Sequence, residues 1–152
     1  MSEQLVLREA IPSDAQKLIN FLQKADKQSD FIVFDHDLTR EKEELALDAI
    51  YQSRFDELEL ALFEDEVIGF CRIENVDDTK AELGVVVDQD FWNNKIASYL
   101  IEDCLIWAKD SPLKKIFLEV YQNNPAAIHI YQKYGFTTEL EKNKTFVMSK
   151  MV

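Results

Sequence analysis

The sequence predicts a mixed α/β fold in which a twisted sheet of about seven strands carries helices on both faces. Short apolar runs typical of strands follow one another between residues 58 and 87. Segments with helical spacing of apolar residues then alternate with short strands over residues 96–151. With 152 residues, 47% of them apolar, the chain suits one core. We therefore expect a single domain spanning residues 1–152.

The first third of the chain predicts one strand and two helices. Leu5–Glu9 is typical of a strand, and Ser13 with Gln16 three residues later forms a capping-box pattern that predicts the start of a helix. Thr39 is a suitable cap for a second helix. We expect that helix to place three apolar residues on its buried face: Leu45, Ala49 and Ile50.

The rest of the chain predicts six strands and two helices. Asn124 caps the last helix, Pro125 occupies its first position, and Gly135 ends it in a left-handed turn. The expected order is β-α-α-β-β-β-α-β-α-β-β. The predicted strands are residues 58–63, 67–73, 81–87, 116–120, 136–141 and 145–151, and the helix between the third and fourth of them is 96–109.

Charge and composition limit the partners. The net charge of −12 repels phosphate backbones, so we expect no nucleic-acid partner. The longest apolar run, 104–108, is too short to span a bilayer, and the first residues lack the pattern of a signal peptide. We therefore expect no membrane partner and a cytoplasmic location. Cys71 and Cys104 lack metal-ligand spacing and predict buried core residues.

Residues 120–136, VYQNNPAAIHIYQKYGF, carry five residues at a distinctive spacing: Asn124, Ala127, Tyr131, Gly135 and Phe136. At all five positions they resemble the N-x-x-A-x-x-x-Y-x-x-x-G-F block of the GNAT (Gcn5-related N-acetyltransferase) superfamily. The predicted order of elements is also similar to that family's. The resemblance implies a GNAT-like acyl-CoA N-acyltransferase fold, with acetyl-CoA as the acyl donor.

Residues 82–100, ELGVVVDQDFWNNKIASYL, resemble the segment that cradles the acetyl-CoA pyrophosphate in this family. The family usually has Gln or Arg, two variable residues, Gly, one variable residue, then Gly or Ala. Here Lys95 stands where that glycine belongs, within 92–97. Asn93 and Asn94 tolerate a left-handed conformation, so the turn remains feasible, and the Lys95 ammonium could contact a phosphate. The alternative is that Lys95 obstructs the site and the cofactor has been lost.

The resemblance implies donor contacts from both segments. Val85–Val87 would offer backbone groups to the pantetheine arm, and an N–H near Val86 or Val87 would stabilise the oxyanion of acyl transfer. Asn124 would combine helix capping with a contact to the arm. The full expected set is Val85, Val86, Val87, Trp92, Asn93, Asn94, Lys95, Ile96, Ala97, Ser98, Asn124 and Tyr131.

Three side chains are candidates for the chemistry. The resemblance makes Tyr131 the general acid that protonates the departing thiolate, and the alternative is a core aromatic residue. Glu82 is the first candidate base, because strand alternation places it on one face with Gly84 and Val86; the alternative is a solvated carboxylate at a strand end. Glu119, on the neighbouring strand, is the second candidate base.

In this family the loop between the first two helices often borders the acceptor pocket. Four residues there are therefore candidates for substrate binding: Phe31, Phe34, Asp35 and His36. For His36 the alternative is a solvated loop residue, and because no further ligands are spaced near it we expect no metal site.

Together these features predict an acetyl-CoA-dependent N-acetyltransferase that acts by direct transfer in a ternary complex. The acceptor would be a primary amine, on a small cationic molecule or on a peptide or protein. A homodimer is implied by analogy with the family alone. The alternatives are a non-catalytic GNAT-fold protein that binds CoA or a partner, and an enzyme that uses a longer acyl donor.

Overall fold

The computed structural model describes residues 4–28 and 37–152. These residues form seven strands and four α-helices in the order that the sequence predicts. The strands are β1 (Leu5–Glu9), β2 (Glu57–Phe63), β3 (Glu66–Asp77), β4 (Lys80–Val87), β5 (Lys115–Tyr121), β6 (Thr137–Glu141) and β7 (Thr145–Met151). The helices are α1 (Ala15–Gln28), α2 (Arg40–Gln52), α3 (Ile96–Asp110) and α4 (Pro125–Lys133).

All seven strands belong to one mixed sheet with the order β1-β2-β3-β4-β5-β7-β6. Neighbouring strands are antiparallel except β4 and β5, which are parallel and are connected through α3. A parallel pair requires such a crossover because the chain must return to the starting edge of the sheet. The expected mixed sheet with about seven strands is confirmed.

Helices cover the sheet on both faces, and each pair of helices closes its own apolar core. Leu58, Leu60 and Leu62 of β2 face α1 and α2, because alternate residues of a strand point to the same side. Ala61 of the same strand faces α3. Burying these two layers is the main favourable contribution to folding. The α3 side includes Cys71, Ile73, Leu83, Leu100, Ile101, Cys104, Ile116, Leu118, Phe136 and Met148.

The two cysteines lie in the core as predicted. Cys71 and Cys104 are fully buried free thiols, and the Cys104 thiol contacts the Cys71 carbonyl oxygen at 3.5 Å. Within residues 4–28 and 37–152, no three His, Cys, Asp or Glu side chains are arranged to hold a metal ion. No helix in those same ranges has the length and apolar character that crossing a membrane requires.

The α1 helix does not begin with the capping box that was expected from Ser13 and Gln16, so that prediction was wrong. A short 3₁₀ turn precedes the helix, and the buried Asp14 carboxylate accepts the Ile11 N–H at 2.9 Å. The Arg8 guanidinium donates to both Asp14 oxygens at 2.7 Å. The cap therefore depends on an ion pair with β1, which the local Ser-x-x-Gln pattern does not contain.

The α2 helix starts where it was expected but buries a different face. Thr39 accepts the backbone N–H three residues later at 3.2 Å, so its role as cap is confirmed. The buried apolar residue is Leu47, with Ile50 partly buried, whereas Leu45 is 73% exposed and Ala49 is also exposed. The expected face was wrong because only a narrow stripe of α2 meets the sheet.

A tight turn joins β2 to β3, and both expected ends of α4 are confirmed. Glu64 and Asp65 join β2 to β3 with φ of 51° and 67°, the left-handed pair of a tight hairpin. Asn124 accepts the Ala127 N–H at 3.2 Å at the start of α4. Gly135 follows α4 with φ of 94°, a conformation that glycine adopts without steric cost.

Four carboxyl groups lie together between α3 and the β1–β2 edge of the sheet. Glu57 and Glu59 share the face of β2 that α3 covers, and Glu9 lies directly opposite Glu59. Burial raises the pKa of Glu57 and of Glu59 to about 7 each, and repulsion from Glu9 and Asp103 adds to the rise. None of the ion pairs in the described part of the chain includes these four groups.

Candidate active site

A gap opens in the sheet between β4 and β5. The two strands pair at three positions only, the last of which joins Glu82 to Phe117. Beyond that pair β4 continues to Val87 and β5 to Tyr121, but the two strands do not pair with each other again. On its other side β4 stays paired with β3 as far as Val87. The second half of β4 therefore has one edge that the sheet does not use.

The hydrogen-bond phase of β4 decides which backbone groups face the gap. Asp88 donates its N–H to the Ile68 carbonyl of β3 at 2.8 Å, directly opposite in the register. Because bonded and non-bonded positions alternate in an antiparallel pair, Val86 also bonds to β3, whereas the backbone groups of Val85 and Val87 point toward β5. Of the three valines expected to offer backbone groups, Val85 and Val87 thus face the gap.

The turn between β4 and α3 lies at the open end of the gap. Asn93 and Lys95 have φ of 69° and 62°, so both adopt the left-handed conformation, and Lys95 is the residue from which α3 begins. No side chain caps α3 at Lys95, and its first turn contains no acidic residue. The N–H groups of residues 96–98 have no acceptor within the helix and are suited to a phosphate. The turn thus keeps its shape without glycine.

The backbone of Lys95 is strained in this turn, because the left-handed conformation costs a residue with a Cβ about 1–2 kcal/mol. We expect Lys95→Gly to have a free energy of unfolding about 1 kcal/mol higher than Lys95→Ala, which removes the same charge but keeps the Cβ. Urea unfolding of the two variants measures the difference. Equal stabilities would show that the left-handed conformation carries no strain at this position.

Tyr131 reaches toward the gap from α4. Its ring packs edge-on against Phe136, with the ring centres 6.0 Å apart. Burial raises the pKa of the Tyr131 hydroxyl to about 12, and the Cys71 thiol adds to the rise. Cys71 lies opposite Val85 in the register, and Tyr131 packs against the core on that face of the sheet. Among residues 4–28 and 37–152, no hydrogen bond to this hydroxyl is found.

The two glutamates flank the gap on the opposite face of the sheet from Tyr131. Glu82 and Phe117 are paired, and Glu119 is two residues further along β5, so their side chains point the same way. The Thr145 hydroxyl donates to Glu119 at 2.5 Å, and this bond, aided by Lys142 at 3.6 Å, lowers the pKa of Glu119. Glu119 is therefore a weaker proton acceptor than an ordinary glutamate.

The four residues expected to bind substrate, Phe31, Phe34, Asp35 and His36, lie outside the described residues, so their role stays a prediction. Asn124 is exposed at the start of α4, where its side-chain oxygen is used by the helix cap.

Two contacts near the site could not be predicted from the sequence, although Trp92 itself belongs to the expected donor set. The Trp92 indole N–H donates to the Val87 carbonyl at 2.8 Å, which leaves the Val87 N–H as its backbone group for a ligand. Asp88 is 3% exposed and is held by a lysine and a glutamine of α1. Both contacts depend on how loop and helix meet, and no local spacing encodes them.

The site is thus a sheet that opens between two parallel strands, beside a helix start that no side chain caps. The sequence model of the protein family described as "Acetyltransferase (GNAT) family" matches residues 19–136, and the chain belongs to that family. The suspected resemblance and the GNAT-like fold are thus confirmed. A search of curated proteins found no match.

Solved structures agree over nearly the whole chain. A GNAT-family acetyltransferase from Streptococcus pneumoniae is 30% identical, with a TM-score of 0.89 over 98% of this chain and 100% of that one. The PaiA N-acetyltransferase from Thermoplasma acidophilum, in complex with CoA, is 20% identical, with a TM-score of 0.77 over 98% and 99%. YncA from Salmonella typhimurium, solved with acetyl-CoA, is 13% identical, with a TM-score of 0.81 over 97% and 94%.

Proposed function

We propose that the protein is an N-acetyltransferase that moves an acetyl group from acetyl-CoA to a primary amine by direct transfer in a ternary complex. The observation that carries the proposal is the gap between β4 and β5: in the described residues the second half of β4 has no neighbouring strand on that side, and no side chain caps α3 at the open end of the gap. Acetyl-CoA supplies the acetyl group as a reactive thioester. These residues fit it, because an extended arm can pair with a free strand edge and a phosphate with free N–H groups.

The residues around the gap would have different roles, which follow from their chemistry. The N–H groups of residues 96–98 would hold phosphate oxygens, and the Lys95 ammonium would add a point charge. The Val87 N–H would stabilise negative charge on the thioester carbonyl oxygen, a contribution worth about 3–4 kcal/mol in other acyl-transfer enzymes. The Tyr131 hydroxyl stays protonated at neutral pH and would donate its proton to the departing sulfur.

The acceptor amine must lose a proton before it attacks, and we assign that proton to Glu82, directly or through water. Glu82 stands at the last paired position, where the gap begins. Glu119 is less suited, because the hydrogen bond from Thr145 stabilises its charged form. A carboxylate at this point would also attract a cationic amine.

Amines are the acceptors named for two further structural neighbours. One is a spermidine/spermine N-acetyltransferase from Vibrio cholerae, 18% identical, and the other a ribosomal-protein-alanine N-acetyltransferase from Brucella melitensis, 17% identical. The acidic balance of this chain favours cationic acceptors of either kind.

Calorimetry with CoA, followed by a thiol-release assay with acetyl-CoA, tests the proposal. We expect CoA to bind, and thiol release to depend on one or more amines in a panel of polyamines, amino acids and peptides with free N-termini. No CoA binding at millimolar concentration would refute the proposal. Binding without thiol release across the panel would favour a non-catalytic CoA-binding protein.

A further inference from the structure

The loop between β4 and α3 is held from the opposite face of the sheet by the last turns of α1. The buried Asp88 carboxylate accepts three hydrogen bonds. Lys24 donates at 2.6 Å, the side-chain amide of Gln28 at 3.2 Å and the Asp90 N–H at 3.0 Å. Lys24 also lies 3.6 Å from the Asp90 carboxylate. Two side chains of α1 thus converge on one carboxylate of the loop.

The bonds continue from this carboxylate toward the left-handed turn. The Gln28 side-chain oxygen accepts the Gln89 backbone N–H at 3.2 Å, and the Gln28 backbone carbonyl accepts the Gln89 side-chain amide at 3.0 Å. The Phe91 N–H donates to the Asp88 carbonyl at 2.9 Å, and the Asn94 amide donates to the Phe91 carbonyl at 3.2 Å. A continuous set of hydrogen bonds therefore joins α1 to the residue that precedes Lys95.

Within residues 4–28 and 37–152, Phe91 provides the aromatic contact of this loop. The Phe91 ring rests against Phe63, with the ring centres 5.3 Å apart. Toward α1 a cavity of about 380 Å³ is lined by Asp88 and Phe91 together with Lys24. Among the described residues, the contacts between this loop and α1 are therefore mainly the hydrogen bonds to Asp88 and from Gln89.

We propose that Asp88, held by Lys24 and Gln28, is a positioning residue that fixes the Asn93–Lys95 turn for the phosphates of the acyl donor. The inference rests on the proposed function, because it concerns the same donor site. Burial raises the pKa of Asp88, but the hydrogen bonds from Lys24, the Asp90 amide and Gln28 outweigh it and lower the pKa. The carboxylate therefore keeps the charge that attracts Lys24 at neutral pH.

The test compares two lysines of α1 with matched ion pairs. Lys24 reaches Asp88 at 2.6 Å, whereas Lys17, two turns earlier, reaches Asp65 of the β2–β3 hairpin at 2.7 Å. We expect Lys24→Met to raise the Kd for CoA about tenfold by calorimetry, since it removes a charged hydrogen bond. We expect Lys17→Met to leave that Kd within about twofold. Thermal unfolding of both variants shows whether the fold is kept.

A double-mutant cycle with Asp88→Asn separates positioning from general loss of stability. If Lys24 acts through Asp88, Lys24→Met has little further effect on the Kd in the Asp88→Asn background. An unchanged Kd in Lys24→Met, an equal change in Lys17→Met, or independent effects in the cycle would each overturn the inference. Failure of the wild-type protein to bind CoA would instead refute the proposed function.

Discussion

Tyr131→Phe is expected to lower the turnover of acetyl transfer about 100-fold while the Kd for CoA changes less than about twofold. The substitution removes one hydroxyl and keeps the ring that packs against Phe136. A general acid acts on the leaving group only as the thioester bond breaks, so its loss affects turnover rather than donor binding. The thiol-release assay and CoA calorimetry measure the two quantities.

Tyr134→Phe is the matched control for this experiment. Tyr134 lies three residues further along, at the end of α4, and packs against the same core. We expect its hydroxyl to make no contribution to turnover. Equal rates for Tyr131→Phe and the wild-type protein would remove Tyr131 from the role of acid, and an equal loss in Tyr134→Phe would point to packing of α4 instead.

The second large effect concerns stability. Glu57 and Glu59 have pKa values of about 7 in the folded protein against an ordinary value of 4.5. The folded state therefore binds more protons than the unfolded state between these values, so stability is full below about pH 4.5 and falls as the pH rises through about 7. Above that range the carboxylates are charged, buried and close to Glu9 and Asp103, which is unfavourable.

Glu57→Gln is accordingly expected to raise the free energy of unfolding at pH 8 by about 2 kcal/mol and to have little effect at pH 5. Glutamine keeps the side-chain oxygen that accepts the Leu58 N–H at 2.9 Å in the wild-type protein. Urea unfolding across this pH range measures the change. Glu64→Gln, at the exposed β2–β3 turn, removes the same charge and should change stability little at either pH. A gain that does not depend on pH would contradict this account.

The order of the elements could be predicted because each depends on local pattern. Thr39, Asn124 and Gly135 set helix boundaries through their own side chains or backbone, and all three are confirmed. The cap of α1 could not be predicted, because Asp14 takes that role through Arg8 of another element. The face of α2 was wrong because tertiary contacts with α1 and β2, which bury Leu47, decide it.

The features of the site also fall into two groups: those that the sequence predicts and those that depend on tertiary contacts. The family block around Tyr131 and the Lys95 turn is visible in the sequence, and the left-handed conformation there follows from the requirements of the turn. Which valine turns its backbone groups toward the gap depends on the phase of the β3–β4 ladder, in which the backbone groups of Val86 bond to β3. Asp88 acts through a helix about 60 residues away, a distance that no local pattern reports.

The gap between β4 and β5 also has a mechanical consequence. The sheet consists of a four-stranded half and a three-stranded half that share only three residue pairs, all at one end. At the other end the halves are joined by helix packing rather than by strand hydrogen bonds. An acyl donor that pairs with β4 inside the gap would lie between the two halves of the sheet. Donor binding would therefore also make the two halves harder to pull apart by mechanical force.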